Sequence, residues 1–223
     1  MRYLTEKAEA FDTYERLLLE WNEKINLTAI TEHNDIVTKH FLDSLTPLDF
    51  RDLKNKSVID VGTGAGFPGL PLKIGVPEMR LCLLDSLNKR INFLKEVINA
   101  LGLEGTECVH ARAEDGGRDE KFREKFDFAI SRAVAPLNVL AEYDLPFVKV
   151  GGEMIALKGP AAYDEIKQAE KAVKTLGGEI SDVKTVTLPD TQLKHLLVFV
   201  GKISPTPAKY PRKAVKISKD PII

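Results

Sequence analysis

The chain has 223 residues, 43% of them hydrophobic, which is enough for one domain with a full core and a small addition. Thirty-two Lys and Arg stand against 33 Asp and Glu for a formal charge of −1, and 29% charged residues with ten Phe, five Tyr and one Trp exclude disorder, collagen and coiled coil as descriptions of the whole chain. No apolar run approaches the ~20 residues that cross a bilayer, and the start MRYLTEKAEAFDTYERLLLEW carries acids where a signal peptide needs a basic segment, so a cytoplasmic location without membrane attachment is expected. Cys82 and Cys108 sit in the strand-like runs RLCLLD and ECVHA and read as buried reduced thiols, with neither a disulfide nor a metal site expected.

From the N-terminus, Phe11, Tyr14, Leu18, Trp21 and Ile25 recur at steps of three and four, which predicts an amphipathic helix. After a polar break at Asn26, the residues Ile36, Val37, Phe41 and Leu45 outline a second helix that stops at Thr46-Pro47, because the residue before proline avoids helical geometry. Residues 1–56 are therefore expected to form a helical cap. From Ser57 the texture changes to short apolar runs: SVIDVG, RLCLLD, ECVHA, FDFAIS and GEMIALKG, read as five buried strands. Between the second and third, Leu87, Ile91, Leu94, Ile98 and Leu101 mark a crossover helix with Ser86 as its N-cap and Gly102 as its stop. Pro160 opens another, carrying Ile166, Ala169, Val173 and Leu176 on one face. Strands alternating with helices predict an α/β, doubly wound, mostly parallel sheet. EISDVKTVTL and HLLVFVGKI, joined around Pro189-Asp190, are too close for a crossover and predict a hairpin, so the sheet ends antiparallel. This sheet domain is expected over 57–203, followed by a basic tail over 204–223, with all three parts forming one compact unit.

The chemistry concentrates in VIDVGTGAGFPGLPL, after the first strand. Gly62, Gly64 and Gly66 allow a sharp turn and close approach of a ligand, and the following helix points its amides at that turn. A dinucleotide fits poorly, since GTGAG followed by Phe67 is not G-x-G-x-x-G and Asp60 would repel a pyrophosphate. An acid beside a glycine turn suits a cationic ligand, and S-adenosyl-L-methionine, with its ammonium and sulfonium, is the expected cofactor. Asp85, at the C-terminal end of the second strand, is placed for ribose hydroxyls, or else is a charge at a helix N-terminus. Ala113 and Glu114 follow the third strand, where an adenine would lie, although Glu114 is also compatible with plain surface charge. Arg132 follows the fourth strand and needs a partner, which a nearby acid would satisfy structurally.

The segments WNEKINLTAI, HFLDSL, DVGTGAGFPGLPL, DSLNKRINFL, RAED, SRAVA and PTPAKYPRK resemble the glucose-inhibited-division protein B family of ribosomal RNA methyltransferases over nearly the whole chain. The resemblance implies a class I methyltransferase (Rossmann-like) fold and methyl transfer from S-adenosylmethionine to N7 of a guanine in small-subunit (16S) ribosomal RNA, with the RNA or the small ribosomal subunit as partner. It places the family's cofactor pocket on Gly62, Phe67, Asp85, Ala113, Glu114 and Arg132. The chain departs from the commoner pattern at Gly116-Gly117 and in the tail, where AVKIS replaces a glycine-proline segment. Guanine N7 carries a lone pair, so the reaction needs no general base and rests on positioning and desolvation. His40 and Asp43, one turn apart, are candidates for the base pocket together with Asn26, against the alternative of a local surface pair.

Residues 1–57 hold 8 basic and 11 acidic groups and residues 58–200 hold 18 and 21, whereas 201–223 hold 6 and 1. Lys209, Arg212, Lys213, Lys216 and Lys219, interleaved with prolines and Tyr210, suit extended backbone on RNA phosphate better than a packed helix, with a solvated terminus as the alternative. Two other functions compete. A nicotinamide oxidoreductase would need a pyrophosphate turn and a Tyr–Lys relay, neither of which is visible, and an RNA-binding ribosome assembly factor would keep an inactive cofactor pocket.

Overall fold

In the computed structural model, which describes residues 2–189 and 191–223, the N-terminal apolar periodicity becomes two helices: a short α1 (Arg2–Glu6) and the long α2 (Ala8–Ile25), which buries Phe11, Tyr14, Leu17 and Leu18. Asn26 ends α2 in left-handed backbone, φ 49°, with its N–H returned to the Asn22 carbonyl. Helical backbone resumes over 33–45 as α3 (His33–Ile36), a wider π-helical stretch (Val37–Leu42) and α4 (Asp43–Leu45), then tightens into a 3-10 turn (Thr46–Asp49) at the expected proline.

Seven strands follow: β1 (Ser57–Val61), β2 (Arg80–Asp85), β3 (Thr106–His110), β4 (Phe126–Arg132), β5 (Val148–Lys158), β6 (Gly178–Thr187) and β7 (Lys194–Lys202). They lie in the order β3-β2-β1-β4-β5-β7-β6, with β7 antiparallel to both its neighbours and the pairs from β3 to β5 parallel. Strand side chains alternate between two layers, as a period of two requires. Val58, Leu81, Leu83, Ile155 and Phe199 pack under the cap, α5 (Gly69–Gly75) and α6 (Asn88–Leu101). Ile59, Cys82, Leu84, Met154 and Val198 face the other layer, built on α8 (Leu137–Asp144) and α9 (Tyr163–Thr175). A single turn, α7 (Ala113–Gly116), follows β3.

Four expectations need correction. Ser86 does not cap α6: the N-cap position is Leu87, and its amide is held by the Asp85 carboxylate at 2.8 Å, so the strand's last residue takes the capping role. The α6 stop at Gly102 stands, with φ 59°. Strand β3 is not buried, and Cys108 on it is only half-buried, because β3 is an edge with one neighbour. The tail is not extended throughout: it forms α10 (Ala214–Lys219), burying Ile217, while Tyr210 is also buried. Helix α8 escapes a reading by periodicity, since its eight residues span barely two turns between Pro136 and Pro146. In the hairpin, the Leu188 amide donates to the Leu193 carbonyl at 3.0 Å; of the expected Pro189-Asp190 turn, Asp190 lies outside the described residues.

Candidate active site

The strand order reverses between β1 and β4, and open α/β sheets place ligands at the carboxyl ends of strands beside that reversal. A cavity of about 310 Å³ lies there, walled by Gly62 after β1, Asp85 ending β2, Ala113 and Glu114 after β3, Ala133 after β4 and Tyr143 from α8. The glycine turn is left-handed at Gly62 (φ 72°), Gly64 (φ 60°) and Gly66 (φ 95°); Gly62 lines the cavity, whereas Gly64 and Gly66, expected beside it, do not. All three strain a side chain by their backbone, and Gly66 also lacks room for one. A Cβ on Gly62 would come 3.1 Å from Val134, and one on Gly66 would come 2.4 Å from Leu70 and 2.7 Å from the Tyr14 hydroxyl. The turn is also tethered: Gly62 and Thr63 amides donate to the Leu84 carbonyl, and the Gly64 amide donates to Asp85 Oδ2 at 3.0 Å.

Asp85 is 2% exposed, receives a further long hydrogen bond from Arg90 at 3.3 Å, and presents its remaining acceptor capacity to this cavity. The same carboxylate thus lies at the N-terminus of α6, accepting from the Leu87 amide, and on the wall of the cavity. Glu114 is 7% exposed, and burial together with Glu114 and Glu142 pushes the Tyr143 hydroxyl pKa upward.

Asp60 is elsewhere. It is fully buried under the turn, where Oδ2 accepts from Thr63 Oγ1 (2.7 Å) and the Gly69 amide (2.8 Å), and it does not line the cavity. The expected direct contact with a cationic ligand is therefore corrected: Asp60 shapes the turn from below, because on β1 it shares a face with Val58, which points away into the core. Burial raises its pKa to about 7, against the hydrogen bonds from Thr63 and Gly69. Asp144 on α8 is equally buried, both its oxygens lack partners, and desolvation reinforced by Asp60 holds its carboxyl well above the ordinary range.

A second cavity of about 450 Å³ adjoins the first, and Ala133 lines both. Its walls come from the cap (Lys39, His40, Asp43), from β4 (Arg132), from the end of β5 (Lys158) and from the start of β7 (His195). Arg132 belongs here rather than to the first cavity. Its NH1 donates to Asp43 Oδ2 at 2.7 Å and to the Lys39 carbonyl at 3.0 Å, and its NH2 donates to His40 Nδ1 at 3.1 Å. The π-helical stretch brings Lys39 and His40 to that guanidinium. Phe67 lines neither cavity; it backs the wall, stacked on His40 with ring centres 4.5 Å apart and with the Arg132 guanidinium 4.9 Å from its ring centre. Since Arg132 can only donate, His40 accepts at Nδ1 and carries its proton on Nε2, which donates to Thr28 Oγ1 at 2.8 Å. Burial and the Arg132 charge lower its pKa to about 4, so the ring is neutral at physiological pH. Asp43, 2% exposed, is desolvated, yet the hydrogen bonds from His195 and Arg132 and the Arg132 charge hold its carboxyl below the usual range.

The structure thus separates the expected set. Gly62, Asp85, Ala113 and Glu114 meet in the first cavity, while Arg132 joins His40 and Asp43 in the second. Asn26 lines neither and is an exposed helix end. Periodicity and motif reading overlooked Thr28, Tyr143, Lys158 and His195; for His195 the only signal was an imidazole opening the apolar run HLLVFVGKI. In the tail, Arg212 makes a bidentate pair with buried Glu142 of α8, from NH2 to Oε2 at 2.7 Å and from Nε to Oε1 at 2.9 Å, while Lys209, Lys213, Lys216 and Lys219 are exposed.

Comparisons with known proteins bear on the family and the fold. The chain is 55% identical over 211 residues to ribosomal RNA small subunit methyltransferase G of Alkaliphilus metalliredigens (94% of this chain, 88% of the relative), and 51% identical over 223 residues to that of Clostridium perfringens strain 13 (100% and 93%). Among solved structures, a predicted O-methyltransferase from Agrobacterium tumefaciens matches with TM-score 0.57 at 20% identity, covering 75% of this chain and 81% of that one. The M. jannaschii protein TYW2, solved in complex with AdoMet, matches with TM-score 0.57 at 16% identity, covering 73% and 76%. These distant likenesses establish the methyltransferase fold. Residues 7–194 match the GidB family, rRNA small subunit methyltransferase G, and the chain belongs to that family.

Proposed function

We propose that this chain transfers a methyl group from S-adenosylmethionine to N7 of a guanine in 16S ribosomal RNA, in the cytoplasm, with the RNA or the small ribosomal subunit as its partner. The observation that carries this reading is the shared wall: a cavity at the strand ends that offers the carboxylates of Asp85 and Glu114 beside Arg90 and Arg112 meets, at Ala133, a second cavity lined by Lys39, Arg132 and Lys158 with Asp43, His40 and His195. The first suits the cofactor chemically. Asp85 and Glu114 offer acceptors for ribose hydroxyls and the adenine amine, Ala113 and Gly62 leave room for flat and bulky groups, and Asp60 holds the turn in place through Thr63 and Gly69. When bound, S-adenosylmethionine supplies an electrophilic methyl on a sulfonium.

The second cavity then holds the base. His40 and Asp43 do not act as bases: both nitrogens of His40 are committed, and Asp43 is held ionised between Arg132 and His195. A neutral guanine N7 offers its lone pair without losing a proton, so these residues orient and desolvate it. The rate at saturating RNA is expected to lack an ascending limb from a base titrating near neutrality. Outside the cavity, Lys209, Lys213, Lys216 and Lys219 supply phosphate contacts, and Arg212 roots the tail on Glu142 rather than meeting RNA.

The test is methyl transfer from labelled S-adenosylmethionine to small subunits or naked 16S RNA, with N7-methylguanine mapped by reductive strand cleavage, beside calorimetry with the cofactor. Label at one guanine and a saturable heat are expected. An assembly factor with an inactive pocket would bind RNA, show no cofactor heat and incorporate no label.

A further inference from the structure

Of the six polar side chains lining the second cavity, Lys39, Arg132 and Lys158 only donate, and each is already paired. Lys39 pairs with Asp35 at 2.8 Å, Lys158 donates to the Ala135 carbonyl at 2.8 Å and to Glu165 at 2.7 Å, and Arg132 divides its hydrogens among Asp43, His40 and the Lys39 carbonyl. Lysine and arginine have no acceptor to offer. Of the groups that do, both oxygens of Asp43 are taken, one by Arg132 and one by His195, and both nitrogens of His40 are taken, by Arg132 and Thr28. His195 differs. Its Nδ1 lies 2.6 Å from Asp43 Oδ1, its side chain is 26% exposed, and among the described residues Nε2 has no partner. Because ionised Asp43 can only accept, Nδ1 carries a proton, and in the neutral form of the ring Nε2 keeps a lone pair.

We propose that His195 is a specificity-determining residue: Nε2 accepts a hydrogen bond from the N1–H of the target guanine, while the cationic side of the cavity faces its O6. This deepens the proposed guanine methylation and rests on it. A guanine offers acceptors at N7 and O6 and donors at N1 and the 2-amino group, so a wall of donors with one free acceptor matches both kinds of edge. Adenine, unprotonated at N1, would set a lone pair against a lone pair, and an unmatched polar group in a closed site is strongly disfavoured. Asp43 acts here as the positioning residue that selects the tautomer, as carboxylates do for imidazoles elsewhere.

The test compares two RNA substrates, one with guanine at the methylated position and one with 2-aminopurine, which keeps N7 and the 2-amino group but has no N1–H. His195→Asn puts an amide N–H near the place of Nδ1–H, preserving the donor to Asp43, and deletes Nε2; His195→Ala removes both. With His195→Asn, kcat/KM on guanine is expected to fall about tenfold to a hundredfold, while that on the 2-aminopurine substrate holds or rises because the lone pair facing its N1 is gone, so that the preference between the two narrows by at least the same factor. S-adenosylmethionine affinity and the unfolding midpoint of that variant stay at parental values. His195→Ala loses the same preference and some stability besides. Equal losses on both substrates, or full activity in His195→Asn with loss only in His195→Ala, would show a purely structural role through Asp43 and overturn the inference. If the parental chain itself fails to methylate guanine, the proposed reaction falls first and this inference with it.

Discussion

The two cavities are built in different ways although they share a wall. The first is assembled from the ends of successive strands, with each side chain delivered by a motif that begins where a strand stops: Gly62 after β1, Asp85 ending β2, Glu114 after β3. The second draws its lining from the cap, β4, β5 and β7, and its central contacts join positions 89 and 152 residues apart, Arg132 to Asp43 and His195 to Asp43. A cavity of local motifs keeps its shape by backbone tethers, whereas one of distant residues keeps it by buried charge pairing. Cofactor affinity and base recognition are therefore expected to respond to different substitutions.

The largest effect should come from the second cavity. Arg132→Ala leaves Asp43 buried without its guanidinium and His40 without a donor, and breaking a buried pair by removing one partner costs about 3–5 kcal/mol. Chemical unfolding should register that loss, and single-turnover methylation should fall at least about a hundredfold through misplacement of the base. S-adenosylmethionine affinity should change far less; a hundredfold loss there would return Arg132 to the cofactor site and dissolve the distinction. The complementary substitution, Asp85→Asn, keeps the shape but weakens charge-assisted bonds, and calorimetry should show cofactor affinity reduced about tenfold to a hundredfold with RNA affinity unaltered.

The regions should also carry opposite pH signatures. Beneath the first cavity, Asp60 has a folded pKa of about 7, and burial reinforced by the Asp60 carboxyl holds Asp144 well above the ordinary range, so the folded chain holds protons that the unfolded chain releases. Their contribution to stability is fully present below the ordinary carboxyl range and is lost as pH rises toward 7 and beyond. At the second cavity, His40, lowered to about 4, contributes stability above its unfolded value near 6.5 that is lost as pH falls toward 4. Unfolding midpoints of Asp144→Asn, measured against the parent, should therefore rise with pH between 4 and 8, and a difference independent of pH would mean that Asp144 is ionised in the folded chain. His40→Asn should show its advantage at the acid end instead.

The smallest expected effect lies in the tail. Replacing Lys213, Lys216 and Lys219 by alanine should flatten the dependence of log RNA affinity on log salt by about 2 to 3, at about 0.7–0.9 per phosphate contact. Arg212→Ala should leave that slope alone and lower stability, because it strands Glu142. A slope reduced by Arg212→Ala alone would show that the Glu142 pair opens on RNA.

The legibility of these features follows their range in the chain. The strands, α2, α6, the hairpin and the glycine turn were readable because each is dictated by side-chain period or backbone sterics within about twenty residues, and Asp85 and Glu114 came with them as strand-end positions. Identity of residue type carried no comparable information about direction. Asp60 looked like a ligand contact because it precedes the turn, but strand alternation turns it into the core; Arg132 and Phe67 looked like cofactor contacts and instead brace His40. The basic tail was visible as charge, while its helix and its Arg212 anchor depended on Glu142, far away in sequence.

By itself, then, the sequence determined the strand and helix periods, the left-handed glycine turn and the acids at strand ends, since these rest on interactions between near neighbours. Sheet order places Asp43 between Arg132 and His195, keeps His40 neutral and, among the described residues, leaves Nε2 of His195 without a partner. Those properties arise from desolvation and pairing among groups brought together by sheet order, and no local pattern encodes the burial that gives such pairs their strength.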